Sequence, residues 1–204
     1  MNWVPEDLIA FEKEIESIYL EGKIRGPVHF SGGNEETLIK IFGQVNPEDW
    51  VLSTHRSHYH ALLHGVPREL VKAEILAGRS IDLHFKEYRF LTSAIVGGCL
   101  PITVGIAMGI KRNAGRERVW CFVGDMASTT GIFHECSQYA ARQRLPISFV
   151  VEDNGLSVNT PTDEAWGPLT KETWWDYDGK PHILRYNYTR IWPHLGCGKW
   201  ITFA

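Results

Sequence analysis

Three observations predict an α/β fold, a parallel sheet flanked by helices. Strand-like runs alternate with segments of helical periodicity along the chain. Two of those runs, Val119 to Val123 and Ile147 to Val151, bracket one helix-like run, which makes a βαβ unit. The 204 residues suffice for one domain with a substantial core.

Taken in order, the elements follow from local pattern. Leu8, Ile9, Phe11, Ile15, Ile18 and Tyr19 recur at helical spacing, with Pro5 near the start and Gly22 near the end. A tight stretch, Gly26 to Gly33, follows, and Asn34–Glu35–Glu36 opens a second helix through Phe42. Trp50 to Ser53 reads as a short buried strand. Pro67 to Ala77 reads as a helix with Gly78 as its stop. Pro101 to Lys111 is apolar almost all round, with Gly105 and Gly109 four apart. Small residues on one face allow close packing, so this helix is expected to be central. The βαβ unit comes next.

The character changes after Val158. The expected organisation is a single domain over 1–204, with an N-terminal helix in 1–25, a loop-rich insertion at 159–182 and C-terminal strands in 183–204. Ile183 to Trp192 and Trp200 to Phe203 are the predicted late strands. Trp166, Trp174 and Trp175 in the insertion either close the domain's own core or meet a partner.

Composition excludes several classes. With 21 basic and 24 acidic residues the net charge is −3, which argues for neither nucleic acid nor an anionic membrane surface. Apolar runs are short and interrupted, so no membrane span is expected. The acidic, amphipathic start MNWVPEDLIAFEKEIE is unlike a signal peptide. Cys99, Cys121, Cys136 and Cys197 lack a CxxC spacing and read as free thiols of a reducing compartment, consistent with a cytoplasmic protein.

The segment GDMASTTGIFHECSQYAARQRLPISFVVEDN, residues 124 to 154, carries the chemistry. It sets Gly124–Asp125 at the end of one strand and Glu152–Asp153–Asn154 at the end of the next. In a parallel sheet, ligands bind outside the carboxyl ends of the strands. Mg²⁺ is commonly held by one or two carboxylates together with substrate phosphates. The arrangement suits a magnesium diphosphate.

That segment resembles the signature of thiamine-diphosphate enzymes, a Gly-Asp-Gly start and an Asn-Asn end. Met126 replaces the second Gly and Asp153 the first Asn. IRGPVHFSGGNEE, DWVLSTHRSHYHALLHGVP and AIVGGCLPITVGIAMGIKR resemble, in order, blocks of the alpha subunit of 2-oxo acid dehydrogenase first components. The similarity runs over roughly residues 5 to 157. It implies Mg²⁺ held by Asp125, Asn154 and the Leu156 carbonyl, with the cofactor diphosphate against Gly124, Met126 and Ala127. Met126 suits that role only if its φ is negative. The resemblance further implies Arg56 on the diphosphate, with His55 where the family usually has Tyr, and the Val96 backbone on the aminopyrimidine.

Histidines carry the remaining expectations. His29 either caps the turn before Gly32–Gly33 or, as the resemblance implies, moves a proton beside the reacting carbonyl. His84 resembles a residue near the site mouth, and His194 a late phosphate-binding histidine. Glu135 is expected to be structural or interfacial. His55, His58, His60 and His64 offer a rival reading as a zinc site, with His60 and His64 four apart on one helical face.

The resemblance implies half an active site. A separate beta-type subunit would supply the activating glutamate, in an α₂β₂ assembly acting on a 2-oxo acid or ketose. The short stretch after Asn154 points away from a large complex and toward a stand-alone carboligase or ketol-transfer enzyme. A non-catalytic partner subunit of the same fold is the alternative, motivated by Met126, Asp153 and that shortness.

Overall fold

The computed structural model describes residues 3–167 and 182–202. The chain runs through α1 (Pro5–Leu20), α2 (Glu35–Phe42), β1 (Trp50–Ser53), α3 (His58–Leu63), α4 (Arg68–Leu76), β2 (His84–Phe85) and β3 (Phe90–Thr92). It continues through α5 (Cys99–Arg112), β4 (Val119–Gly124), α6 (Asp125–Ser128), α7 (Gly131–Arg142) and β5 (Ile147–Asp153). β6 (Leu156–Ser157), β7 (Thr160–Pro161), α8 (Thr162–Trp166) and β8 (Ile183–Asn187) complete it.

Six strands form one sheet in the order β2-β3-β1-β4-β5-β8. All neighbours are parallel except the two-residue edge strand β2, which runs against β3. β6 and β7 make a separate antiparallel pair. The alternating pleat of β4 divides the core. Trp120 and Phe122 face Phe11, Phe42 and Tyr59 on one side. Val119, Cys121 and Val123 face Leu100, Ala107 and Phe133 on the other. Burial on both faces is why this strand reads as an unbroken apolar run. α1 buries Leu8, Phe11, Ile15 and Tyr19, the stripe its periodicity predicts.

The predicted helices and strands up to residue 157 form where expected, and Gly78 follows α4 in the left-handed region with φ 82°. Other expectations need correction. A Cβ on Gly105 or Gly109 would meet nothing within 4 Å, so α5 packs through Leu100, Ala107 and Ile110 instead. It covers one face of the sheet and is not enclosed. The late strand ends at Asn187, short of Trp192, because β5 ends at Asp153 and offers no further ladder. Tyr188 donates its N–H to the Asp153 carbonyl at 2.9 Å and the chain then leaves the sheet. Residues 200–202 form no strand and Trp200 is 96% exposed; Phe203 lies outside the described residues.

The insertion is not all loop. It begins with β7 and α8, while 168–181, with Trp174 and Trp175, lie outside the described residues. Of the four cysteines, all free, Cys197 is only partly buried. Among the described residues, no helix is long and apolar enough to cross a membrane.

Candidate functional site

The carboxyl ends of β1, β3, β4 and β5 open on a cleft of about 370 Å³. Each strand exit contributes backbone and side chains: 53–56 after β1, 93–97 after β3, 124–127 after β4, and Glu152 and Asn154 from β5. His29, Tyr188 and His194 arrive from segments far away in sequence. The parallel order generates this convergence, because every crossover returns the next strand to the same end of the sheet.

Asp125 and Asn154 stand at the ends of adjacent strands, with Gly124 in register with Glu152. Asp125 is buried, and its Oδ2 accepts a hydrogen bond from the Thr162 hydroxyl at 2.5 Å. Burial, with the Asp153 charge beside it, holds the Asp125 carboxyl above its ordinary range. Burial also acts on Asp153, but Arg185 and the Gly155 N–H outweigh it and hold that carboxyl below its ordinary range. Arg185 pairs directly with Asp153, so the residue that replaces the expected Asn is already neutralised. Asn154 Oδ1 accepts the Leu156 N–H at 2.9 Å and its Nδ2 meets the Tyr188 hydroxyl at 3.1 Å. That leaves one lone pair on Oδ1 and an Asp125 carboxyl short of a counter-charge. The donors are hard oxygens, the set a small divalent cation takes.

Met126 lies in the turn of α6, and the non-glycine residues with positive φ among those described are Arg89, Ala114, Arg144 and Val158. Met in place of Gly is therefore unstrained, and its N–H is kept. Its sulfur receives the Trp166 indole N–H at 2.8 Å, which ties α8 to this turn. A Cβ on Gly124 would meet nothing within 4 Å, which leaves room for a ligand against the backbone.

The exit from β3 is apolar and open. Ile95 is 75% and Val96 72% exposed at the cleft edge. A Cβ on Gly98 would approach Ser93 Oγ to 2.8 Å and the Ile95 carbonyl to 3.1 Å, so a larger residue where this loop enters α5 would have to push Ser93 and Ile95 aside. Leu156 and Val158 continue the apolar edge on the other side.

Three histidine rings meet in the cleft. His29 and His55 have ring centroids 4.4 Å apart, His29 and His194 4.6 Å, and His55 and His194 5.5 Å. His29 Nδ1 lies 2.5 Å from the His194 carbonyl, so it donates to that oxygen and does not cap the turn before Gly32. Burial lowers His29 to about 4 and His55 to about 3, keeping both rings neutral near pH 7. Arg56, behind them, donates to the Phe30 and His194 carbonyls while also bordering the cleft.

The other histidines do not converge. His58 bridges Glu12 and Ser80, each at 2.9 Å. His64 reaches the Asp49 carbonyl at 3.1 Å. His60 Nδ1 meets Ser53 Oγ at 3.3 Å, and its Nε2 lies 3.3 Å from Glu152, within ion-pair range but outside hydrogen-bond geometry. The rival zinc pair, His60 and His64, is thus spent on separate partners. His84 sits exposed on edge strand β2, outside the cleft. Glu135 is exposed on α7.

Sequence reasoning missed Glu152. It is buried where β5 ends and accepts from Asn34 Nδ2 at 3.1 Å and from the Tyr186 hydroxyl at 2.5 Å. Asn34, expected to open α2, caps nothing with its side chain and serves this network instead. The available signal was an acidic residue directly before Asp153 on an otherwise apolar strand.

The model of the dehydrogenase E1 component matches residues 7–167. The alpha subunit of an acetoin:2,6-dichlorophenolindophenol oxidoreductase from Bacillus subtilis is 29% identical over 169 residues, which cover 78% of this chain and 51% of that one. The pyruvate dehydrogenase E1 component subunit alpha of Porphyra purpurea is 33% identical over 173 residues, 75% of this chain and 50% of that one. A solved candidate thiamin diphosphate-dependent enzyme from Mycobacterium smegmatis covers 59% of this chain and 20% of its own, at 24% identity and a TM-score of 0.42. The chain spans about half the length of the curated relatives it matches. The matched span contains every strand exit that builds the cleft except the segment bearing Tyr188 and His194. On that match, the chain belongs to the dehydrogenase E1 component family.

Proposed function

We infer that this chain is the diphosphate-gripping, alpha-type part of a thiamine-diphosphate enzyme acting on a 2-oxo acid or ketose. One observation carries the reading: Asp125 and Asn154 leave adjacent parallel strands at the edge of a cleft that also holds Arg56. The exposed apolar rim at Ile95 and Val96 supports a second, beta-type subunit that completes the pocket, in an α₂β₂ assembly.

Thiamine diphosphate, when bound, supplies the carbanion chemistry of such a reaction. Asp125, Asn154 and the Leu156 carbonyl would hold Mg²⁺. Arg56 and the backbone of Gly124, Met126 and Ala127 would take the phosphate oxygens. The Val96 backbone would meet the aminopyrimidine. His29, its Nδ1 proton committed to the His194 carbonyl, keeps a lone pair on Nε2 and would accept a proton there from a substrate hydroxyl. Depression to about 4 keeps that lone pair available at neutral pH. His84 has no part in this reading, since it lies outside the cleft.

Calorimetric titration of thiamine diphosphate, with and without Mg²⁺, tests the reading. Magnesium-dependent binding is expected in the wild-type chain and should vanish in Asp125→Ala. The affinity should fall as pH drops, starting above the ordinary carboxylate pKa of about 4, because Mg²⁺ must displace a proton from a raised Asp125. A second reading, a non-catalytic partner of the same fold, draws on the internal hydrogen bonds that Asp125 and Asn154 already make. Absence of binding even with a co-expressed beta-type chain would favour it.

A further inference from the structure

We propose that His29, His55 and His194 form a binding site for a borderline divalent ion of the zinc class, distinct from the oxygen donors at Asp125. One ligand nitrogen from each of the three lies within 4.8 Å of the other two. Zinc–imidazole bonds of about 2.1 Å bring tetrahedral nitrogens to about 3.4 Å, so each ring of the widest pair moves by less than about 1 Å. The residues come from three separate segments, so their approach is not a by-product of helical spacing.

The surroundings resemble those of metal-bound histidines. A ligating imidazole usually donates its other N–H to a carbonyl or carboxylate, which fixes the tautomer. His29 does this without a metal: Nδ1 donates to the His194 carbonyl, and Nε2 is left to coordinate. Burial holds His29 and His55 neutral near pH 7, the form that binds a metal, and lowers His194 in the same direction. Three histidines fill three positions of a tetrahedral shell, and the fourth faces the cleft for water or an anion.

Arg56 opposes a cation here. Its guanidinium lies on the His194 carbonyl and helps to lower all three rings. An anionic fourth ligand offsets that charge, so affinity should rise when inorganic phosphate or pyrophosphate is present. Imidazole is also a soft enough donor to prefer Zn²⁺ or Co²⁺ to Mg²⁺. Excess Mg²⁺ therefore leaves this site open while it occupies hard-oxygen sites. The proposal does not depend on thiamine diphosphate binding, and the two are measured separately; an ion on His29 Nε2 would occupy the lone pair assigned above to the substrate proton, so the two uses of that nitrogen exclude each other.

The test is equilibrium dialysis of the untagged chain against Co²⁺ with Mg²⁺ in excess, followed by the visible spectrum of the bound ion. One Co²⁺ per chain with the intense absorption of a four-coordinate site is expected. His29→Gln, His55→Gln and His194→Gln should each weaken it at least about tenfold. His134→Gln, on the exposed surface of α7, should leave it unchanged. Should a cleft variant fail to fold, the wild-type Co²⁺ protein decides alone. Three hyperfine-shifted imidazole N–H signals in its proton spectrum support the site, and fewer than three overturn it. Failure to retain Co²⁺, or retention undiminished in all three variants, would equally sink the proposal.

Discussion

Two sets of three histidines lie close together in this molecule and behave oppositely. His58, His60 and His64 belong to one short helix and its cap, and each is buried against its own partner. His29, His55 and His194 come from remote loops, yet their rings face one another at the cleft. The helical set looks like a metal site on paper because of its spacing. Its imidazoles are instead hydrogen-bond ties from α3 to α1, to Ser80 after α4, to β1 and to the turn before β1. Proximity in sequence distributes side chains around a local axis, while convergence at strand ends aims them at a common point.

Substitutions can break that contrast. His58→Ala removes the tie between Glu12 and Ser80 and leaves a cavity in the core. It should cost about 3 kcal/mol in urea unfolding. Gly33→Ala strikes the other set. Gly33 has φ 93°, and a Cβ would sit 2.0 Å from the Thr189 carbonyl, on the segment that delivers His194. A loss of about 2 kcal/mol is expected. Co²⁺ uptake should disappear with it, while the α3 histidines keep their partners.

The smallest effect is also the most selective. His29 and His55 are depressed to about 4 and about 3, whereas an unfolded histidine titrates near 6.5. Below that value the unfolded chain takes up protons that the folded chain refuses. Stability is therefore full above about pH 6.5 and falls on acidification toward pH 3. Urea midpoints measured across this window should fall less steeply in His55→Tyr, which at neutral pH should differ from wild type by under about 1 kcal/mol. An unchanged slope would mean that His55 is solvated and the cleft set is looser than its geometry implies.

Much of the frame was legible because its signals are local. The α1 stripe, the stop at Gly78 and the apolar runs of β1, β4 and β5 each follow from spacing within a few residues. Asp125 and Asn154 were legible for the same reason, since strand ends mark them. Partner choice was not legible. Asn34 has a capping residue's position but is diverted to Glu152, over a hundred residues away. The glycine pair on α5 suggested close packing, yet faces no neighbour among the described residues. The late strand was drawn too long because its alternation persists beyond the point where β5 stops offering partners. The convergence of His29, His55 and His194 depends on the crossovers that link β1 to β8 and on the loop after β8, which no local pattern encodes.

The bond between His29 and the His194 carbonyl also dates the cleft. The two residues are 165 positions apart. At about 5–20 residues per second, His194 leaves the ribosome about eight to thirty-three seconds after His29. During that interval β1, β4 and β5 can already assemble, while His29 and Arg56 lack the carbonyl that orders them. The nascent chain therefore carries an unfinished pocket on a sheet that lacks only its last strand, β8. A chaperone or an already synthesised partner would meet an open, apolar-rimmed surface before the cleft acquires its final shape.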